Sequence, residues 1–140
     1  RTVIEMSGAL PVTRGAFPHL RVAAGLAWVS GTSSRRVDNT IEGTAVTVDG
    51  TLQLDPVLQS RAVLANVEQI LVRVGLDRTD LVDVTAFLID MGHFEAWNAV
   101  WTDFFRDCEA PARTTAAVQA LPHPHLLLEV KAVARLRGDH

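Results

Sequence analysis

Four polar residues stand close together near the end of the chain, in sequence that is otherwise apolar. Residues 110–131 read APARTTAAVQALPHPHLLLEVK, with Arg113, His123, His125 and Glu129 among Ala, Val and Leu. A guanidinium is a rigid, permanently charged fork that binds a carboxylate through two hydrogen bonds. A carboxyl group in apolar surroundings tends to have a raised pKa and can act as acid or base near neutral pH. The segment predicts a site that binds a small anion and moves protons.

Each of these residues also has a simpler structural explanation. Arg113 could form a surface or interface salt bridge, and Glu129 could form a cross-strand or inter-subunit ion pair. Lys131 has the chemistry of a Schiff-base residue, but a salt bridge on a strand is favoured. The His-Pro-His sequence is explained by a turn in which Pro124 fixes the backbone. A zinc site would need further Cys or His at a recognisable spacing, so we expect no metal.

A second cationic pair, Arg35 and Arg36, lies in the stretch SSRRVDN. A solvated turn explains the pair unless the substrate carries a second negative group. Ser30, in VSGTSS, is not part of a GxSxG elbow, which favours loop hydrogen bonding over a nucleophile. Cys108 has no base near it in sequence, so it is expected to be an ordinary small residue.

Composition limits the classes of protein that the chain can belong to. Its 140 residues are 48% hydrophobic and 21% charged, which predicts one folded domain over residues 1–140. A net charge of −3 without a Lys/Arg run argues against nucleic-acid binding. No apolar stretch is long enough for a membrane span and no signal peptide is recognisable. The glycines form no phosphate-binding motif. We therefore expect a cytoplasmic protein that needs no cofactor.

Periodicity predicts two helices embedded in a series of strands. The first helix has Asp55 as its cap, Gly75 at its end, and one apolar stripe formed by Leu64, Val67, Leu71 and Val74. The other predicted elements are hairpins at 21–34 and 46–54, strands at 81–90, 113–121 and 126–136, and a helix at 93–105. The order β-β-(β)-α-β-α-β-β favours an α+β fold with one mixed sheet and both helices on one face. The other face must be covered, most simply in an oligomer.

Taken together, these segments resemble the RidA family of enamine/imine deaminases, from about Gly15 to Leu136. The resemblance rests on VSGTSS, AVLANVEQILVRVGL, VTAFLIDMGHFEAWNAVWTDFF, PARTTAAVQALP and LEVKAVA, in this order and spacing. Within the family, VSGTSSRRVDN and ARTTAAVQALPHPHLLLEVKAVA are similar to 2-aminomuconate deaminases. The resemblance implies a chorismate-mutase-like fold that assembles as a homotrimer with pockets between subunits. It also implies a small anionic enamine or imine as substrate, with no metal or cofactor.

The resemblance gives several residues expected roles. Arg113 matches the arginine that grips the substrate carboxylate, and the backbone at Thr115 helps to hold the ligand. Glu129 matches the glutamate associated with the reactive water, provided that the His-Pro-His turn is one residue longer than usual. Ser30 matches the serine of the family's hairpin, and Asn98 matches an asparagine of the second helix.

Where the family often has an N-terminal tyrosine, this chain has Phe17, which can pack on a flat ligand but cannot donate a hydrogen bond. A muconate skeleton has two carboxylates, so Arg35 or Arg36 is expected to bind the second one. His123 or His125 is expected to help close the pocket.

The implied reaction is hydrolysis of 2-aminomuconate, or a close dicarboxylate enamine, to the 2-oxo or 2-hydroxy acid and ammonia. Two alternatives remain open at this point. One is a broad deaminase of 2-iminopropionate and 2-aminoacrylate that limits metabolite damage. The other is a non-catalytic trimer that binds a ligand or acts as a chaperone.

Overall fold

The computed structural model describes residues 10–138, so residues 1–9 and 139–140 of the predicted domain lie outside the described part. The strands are β1 (Leu20–Ala23), β2 (Leu26–Thr32), β3 (Thr44–Val46), β4 (Leu52–Leu54), β5 (Leu81–Leu88), β6 (Ala112–Ala117) and β7 (Leu128–Arg135). The helices are α1 (Pro56–Val72) and α2 (Phe94–Phe104).

Five of the strands form one mixed sheet in the order β1-β2-β7-β5-β6. All neighbours pair antiparallel except β5 and β6, which are parallel and are connected through α2. Strands β3 and β4 form a separate two-stranded ribbon. The hairpin predicted at 46–54 is therefore present, but it lies outside the main sheet. One edge of the main sheet is β6, the strand that carries Arg113.

Helix α1 begins where the sequence predicts. The side chain of Asp55 accepts hydrogen bonds from the backbone N–H groups of Val57 and Leu58, at 2.9 and 3.1 Å. The helix gives way to a turn at Gly75, whose φ of +79° lies in the left-handed region that glycine adopts readily. The predicted stripe lies in or against the core: Leu64, Val67, Leu71 and Val74.

Helix α2 packs against α1 through aromatic residues. Trp97 and Trp101 are buried and meet edge to face, with ring centroids 5.5 Å apart. Phe104 packs against the same core, whereas Phe94 is only half-buried. The aromatic side chains of this helix thus pack into the core, except Phe94, which can contact another group. Within residues 10–138, neither helix is long and apolar enough to cross a membrane.

Strand β7 lies between β2 and β5, and its side chains alternate between the two faces of the sheet. The side facing the helices is buried and consists of Leu128, Val130, Ala132 and Ala134. The opposite side carries Glu129, Lys131, Val133 and Arg135, which are half-buried or exposed. On that same open face Trp28, the cross-strand neighbour of Val133, is 45% exposed. The sheet therefore has one covered face and one open face, and the predicted α+β architecture holds.

Three strands are shorter than predicted. The strand predicted at 81–90 ends at Leu88 because Asp90 caps a short 3₁₀ turn, accepting from the N–H of Gly92 at 2.8 Å. The strand predicted at 113–121 spans Ala112–Ala117, and the one predicted at 126–136 spans Leu128–Arg135.

The C-terminal end of β7 is held by a buried acid. The side chain of Asp80 is fully buried just before β5, and Arg137 reaches it with a distance of 2.7 Å between Nη2 and Oδ2. The same guanidinium lies 3.2 Å from Asp77. A buried carboxylate needs such partners, so this contact fastens the chain beyond β7 to the start of β5.

Candidate active site

A cavity of about 110 Å³ opens beside the end of β7 that carries Glu129. One water needs roughly 10–15 Å³ of such space, so the cavity can hold a small ligand. Its walls come from the segment before β1, the end of β2 and the loop after it, α1 and the approach to β7. Six of its lining residues bear on the chemistry: Arg14, Phe17, Gly31, Arg35, Asn66 and Glu129.

Glu129 brings the carboxyl group to this cavity. It pairs with Phe87 across the sheet and points to the open face, whereas its neighbours on β7 point into the core. Among residues 10–138 no hydrogen bond or ion pair engages its side chain. Burial raises the pKa of Glu129, and the charge of Arg35 opposes that shift only in part. A half-buried, unpartnered carboxyl with a raised pKa can hold a water molecule and exchange protons with it.

A bulge in β2 makes room for this carboxyl group. Three residue steps on β2, from Val29 to Thr32, face two steps on β7, so one extra residue is accommodated there. Gly31 lies in the bulge against the acid. A Cβ on Gly31 would clash with Glu129 Oε2 and would lie 3.1 Å from its Cδ. The glycine therefore allows the carboxyl group to lie directly on the backbone of β2.

The segment at residues 11–19 forms one wall of the cavity and is tied to the sheet. The hydroxyl of Ser30 donates to the carbonyl of Pro18 at 2.7 Å, and the backbone N–H of Ser30 donates to the carbonyl of His19. The ring Nε2 of His19 donates to the carbonyl of Pro11 at 2.6 Å. Ser30 does not line the cavity. The structure thus uses it to anchor the wall that carries Phe17, which does line the cavity.

The loop after β2 separates the two neighbouring arginines. Arg35 lines the cavity, and the amide of Asn66 on α1 fixes its backbone by donating to the carbonyls of Ser33 and Arg35 at 2.8 and 3.1 Å. Arg36 is turned away from the cavity and is bound to Glu42 at 2.9 Å and to Thr40 at 3.0 Å. Of the predicted pair, only Arg35 is available to a ligand.

The His-Pro-His sequence forms a turn, as its proline predicts. The backbone N–H of His125 donates to Nδ1 of His123 at 3.0 Å, and the two rings meet at 4.9 Å. Burial lowers the pKa of His123, and the nearby charges of His125, Arg35 and Arg14 lower it further. Neither ring lines the cavity, although Pro122 beside them does.

One buried residue of α1 fastens that turn to the helix layer. Gln59 is fully buried. Its side-chain amide donates to the carbonyl of His125 at 2.9 Å, and its oxygen accepts from the backbone N–H of Leu127 at 2.9 Å. Two hydrogen bonds between positions more than 60 residues apart fix the approach to β7, and thereby the place of Glu129 on the cavity wall.

Arg113 lies elsewhere, on the edge strand β6. It pairs with Val84 and therefore points to the helix side of the sheet. Its guanidinium carbon lies 5.5 Å from the ring centroid of Phe94 and 5.1 Å from that of Trp101. Its Nη1 is buried and finds no hydrogen-bond partner among residues 10–138, and the same holds for Oγ1 of Thr115. Desolvation lowers the pKa of Arg113. These two unpartnered groups are a place for a polar ligand or a partner chain.

The helix residue Asn98 has an exposed side chain. Its backbone carbonyl accepts a hydrogen bond from the hydroxyl of Thr102 at 2.9 Å, and among residues 10–138 its side chain forms none. Asn98 does not line the cavity beside Glu129.

One protomer does not bring Arg113 and Glu129 together. They point to opposite faces of the sheet, since Arg113 pairs with buried Val84 and Glu129 pairs with Phe87 on the open side. They are separated by two strand spacings and by three residues along the strands, which puts their Cα atoms about 14 Å apart. Within a single chain the cation and the acid therefore do not share one cleft, and the expected pocket between subunits stays a prediction.

The lining residues that were not predicted as site residues include Arg14, His19 and Asn66. Arg14 lies in a segment without regular secondary structure, so no periodicity indicates which way it points. Asn66 could have been found as a polar residue in the mostly apolar stretch of α1, because buried polar groups need partners.

Comparison with known proteins agrees with this architecture. Residues 2–136 match the family model described as Endoribonuclease L-PSP. A RutC family protein from Sulfurisphaera tokodaii is 32% identical over 95 residues, which are 61% of this chain and 75% of that protein. A RutC family protein from Pyrococcus horikoshii is 37% identical over 76 residues, and the match spans only 59% of its length.

Solved structures extend the likeness over nearly the whole chain. The Escherichia coli protein TdcF, solved with bound serine, has a TM-score of 0.80 at 26% identity, with 98% of this chain and all of that chain covered. YyfA from Yersinia pestis, a Rid protein of unknown function, has a TM-score of 0.81 at 26% identity, with coverages of 96% and 98%. The chain therefore belongs to the Endoribonuclease L-PSP family, the Rid/RutC group that its sequence motifs resemble.

Proposed function

We propose that the protein is an enamine/imine deaminase, which hydrolyses the C–N bond of a small 2-amino-enoic or 2-imino acid and releases ammonia. The observation that carries this proposal is Glu129, an unpartnered, half-buried carboxyl on a cavity wall whose pKa burial has raised. The Escherichia coli relative TdcF, 34% identical over 87 residues, is provisionally named a reactive intermediate deaminase. That name supports the same class of reaction for this chain.

The chemistry needs one proton-transfer group and one anion anchor. The enamine takes a proton on carbon and becomes the imine, and water then adds to the imine carbon to give a carbinolamine. Glu129 holds that water, takes its proton and passes it to nitrogen, so that ammonia leaves and the oxo group forms. A carboxyl group with a raised pKa can serve both steps, first as a base toward the water and then as an acid toward the nitrogen.

The anchor is Arg113, supplied by a second copy of the chain in a homotrimer with pockets between subunits. Three features support this. Arg113 and Glu129 point to opposite faces of one sheet. Arg113 lies on an edge strand with a buried, unpartnered Nη1, beside Thr115 with an unpartnered hydroxyl. The open sheet face exposes Trp28, an apolar surface that a partner would cover. A guanidinium placed against the cavity of a neighbour would grip the carboxylate beside the reacting carbon.

The finer proposal is that the substrate is 2-aminomuconate or a close dicarboxylate enamine. It is supported by the finer sequence resemblance and by a cavity wall with two guanidinium groups and one carboxyl group. Phe17 on the same wall can pack against a planar, conjugated skeleton. The word endoribonuclease in the family's description suggests RNA instead, but a net charge of −3 fits a small anion better than a polyanion.

An ammonia-release assay tests the proposal. Freshly generated 2-aminomuconate and 2-iminopropionate are given to the native protein and to Glu129→Gln. We expect release above the spontaneous rate with both substrates, faster with 2-aminomuconate. Glu129→Gln should bind muconate yet release ammonia about 100-fold more slowly.

The possible results separate the alternatives. A preference for 2-iminopropionate would replace the finer proposal with a broad deaminase that limits metabolite damage. Muconate binding without any ammonia release would support a non-catalytic ligand-binding trimer and would overturn the enzymatic proposal.

A further inference from the structure

We propose that Arg14 and Arg35 form a second anion subsite on the wall of the Glu129 cavity, which takes the distal carboxylate of a dianionic substrate. The inference rests on the proposed function, because it assigns the far end of the same ligand. The sequence-based expectation is Arg35 or Arg36 alone; here Arg35 is kept, Arg36 is excluded, and Arg14, from a different part of the chain, is added.

Arg35 is held in place but its charge is left unpaired. Its carbonyl accepts from Asn66, its backbone N–H donates to the hydroxyl of Ser33, and its backbone forms an isolated β-bridge with Ile41. Among residues 10–138, no carboxylate pairs with its guanidinium. Its neighbour Arg36 forms both an ion pair and a second side-chain hydrogen bond. The two adjacent arginines are therefore a natural contrast: one is neutralised by the fold, and the other faces a cavity.

Arg14 reaches the same cavity from the segment before β1. That segment is organised by Thr13, whose hydroxyl donates to the carbonyl of Phe17 at 2.8 Å, and by the tie between Ser30 and Pro18. The Arg14 guanidinium also has no ion-pair partner among the described residues. The segment is thus fixed by backbone contacts, while the cation that it carries remains available to a ligand.

The charge balance of the cavity calls for an anion. Arg14, Arg35 and Glu129 all line it, and burial favours the neutral form of the Glu129 carboxyl group. Two like charges brought to one partly enclosed wall repel each other unless a counter-charge joins them. The charges of Arg35 and Arg14 also contribute to lowering the pKa of His123, after desolvation and the charge of His125, so both arginines lie in the neighbourhood of that ring.

The subsite defines a class of substrate. One carboxylate, next to the reacting carbon, is gripped by Arg113 of the neighbouring copy. A second anionic group, at the far end of a short unsaturated chain, is bound between Arg14 and Arg35. A monoanion would leave the two cations without a partner. The subsite therefore favours long dianions over short imines by affinity, and it acts on binding more than on the hydrolytic step.

A matched pair of unreactive ligands tests this independently of catalysis. Muconate and sorbate share a six-carbon conjugated skeleton and differ in one carboxylate, so calorimetry on the native protein should show a clear preference for muconate. Arg35→Gln and Arg14→Gln should each lower the muconate-to-sorbate affinity ratio by about tenfold, the worth of one charge-assisted hydrogen bond. Arg36→Gln is the matched control and should leave the ratio as in the native protein.

The results distinguish failure of the subsite from failure of the proposed function. An equal loss of affinity for both ligands in Arg35→Gln and Arg14→Gln, or the same loss in Arg36→Gln, would overturn the subsite. A native protein that prefers muconate but releases no ammonia from 2-aminomuconate would retain the subsite and overturn the enzyme. Thermal denaturation of each variant, expected within the native range, excludes unfolding as the cause.

Discussion

The two halves of the candidate site are built in different ways. Glu129 lies on the central strand β7, and its own chain surrounds it with a cavity wall, a bulge and an anchored turn. Arg113 lies on the edge strand β6, stacked on aromatic rings, with a buried nitrogen that no group in the described part of its chain satisfies. The Glu129 half is formed within one protomer, whereas the Arg113 half still needs a partner for its buried nitrogen.

This contrast has an energetic side. A buried donor or acceptor without a partner costs about 1–3 kcal/mol. Arg113 Nη1 and Thr115 Oγ1 are two such atoms two residues apart on one strand. Because buried polar atoms in folded proteins are nearly always hydrogen-bonded, we infer that a ligand or a second copy of the chain satisfies these two atoms. Four experiments test the contrast, from the largest expected effect to the smallest.

Mixing two inactive variants tests whether the halves come from different chains. Arg113→Ala and Glu129→Gln should each reduce ammonia release about 100-fold, the first by loss of orientation and the second by loss of proton transfer. Unfolded together and refolded, they should regain part of the native rate, because some interfaces would then combine an intact Arg113 with an intact Glu129.

The control for this mixing experiment refolds each variant alone. A mixture no more active than the sum of its components would mean that both residues act within one chain, against the geometry described above.

Gln59→Leu tests the anchor of the Glu129 half. It removes two hydrogen bonds and leaves the carbonyl of His125 and the buried N–H of Leu127 unsatisfied. We expect the free energy of unfolding to fall by about 2–4 kcal/mol, measured by urea denaturation at fixed protein concentration. Gln119→Leu, at an exposed position, is the comparison and should change it by less than about 0.5 kcal/mol. Equal losses in the two variants would remove the anchoring role of Gln59.

Gly31→Ala tests the position of the carboxyl group without removing it. The new methyl group must displace the end of the Glu129 side chain, which is flexible, so the melting temperature should change little. The rate of ammonia release should fall by the order of tenfold, because a misplaced catalytic group loses its alignment.

A double variant shows whether this loss runs through Glu129. In the Glu129→Gln background, Gly31→Ala should cause no further loss of rate. A second, independent loss there would mean that the methyl group acts on some other part of the cavity.

The stability of Glu129→Gln against pH tests the burial of the acid. The folded-state pKa of Glu129 is raised above its ordinary value of 4.5, so the folded state holds the proton more tightly than the unfolded state does. The native protein therefore loses stability as pH rises from that value through the raised pKa, and the loss is complete above it. Glu129→Gln should be more stable than the native protein at pH 8 and equally stable at pH 4, by thermal denaturation. A constant difference at all pH values would contradict the raised pKa.

The architecture could be predicted from sequence because its signals are local. The cap at Asp55, the apolar stripe of α1 and the alternation of β7 each depend on residues within one element. Glu129 and Arg113 were found from motif resemblance and also from residue type, the first as a carboxyl group in an apolar run and the second as a guanidinium able to bind a carboxylate.

What could not be predicted depends on pairing between distant segments. The faces to which Arg113 and Glu129 point follow from the registers of β5 with β6 and with β7, which no local pattern gives. The choice between Arg35 and Arg36 depends on a loop that Asn66 holds from 30 residues away along the chain. Arg14 lies in irregular backbone, where side-chain direction has no period. The site is therefore harder to read from sequence than the fold that supports it.

The ion pair between Arg137 and Asp80 has a further consequence for the position of Glu129. Gln59 fastens the chain just before β7, and Arg137 fastens it just after, so the strand is pinned at both ends. Sliding of β7 by one residue would turn Glu129 into the core and Leu128 into the cavity, since side chains alternate along a strand. A salt bridge far from the cavity thus helps to keep β7 in the register that places the Glu129 carboxyl group on the cavity wall.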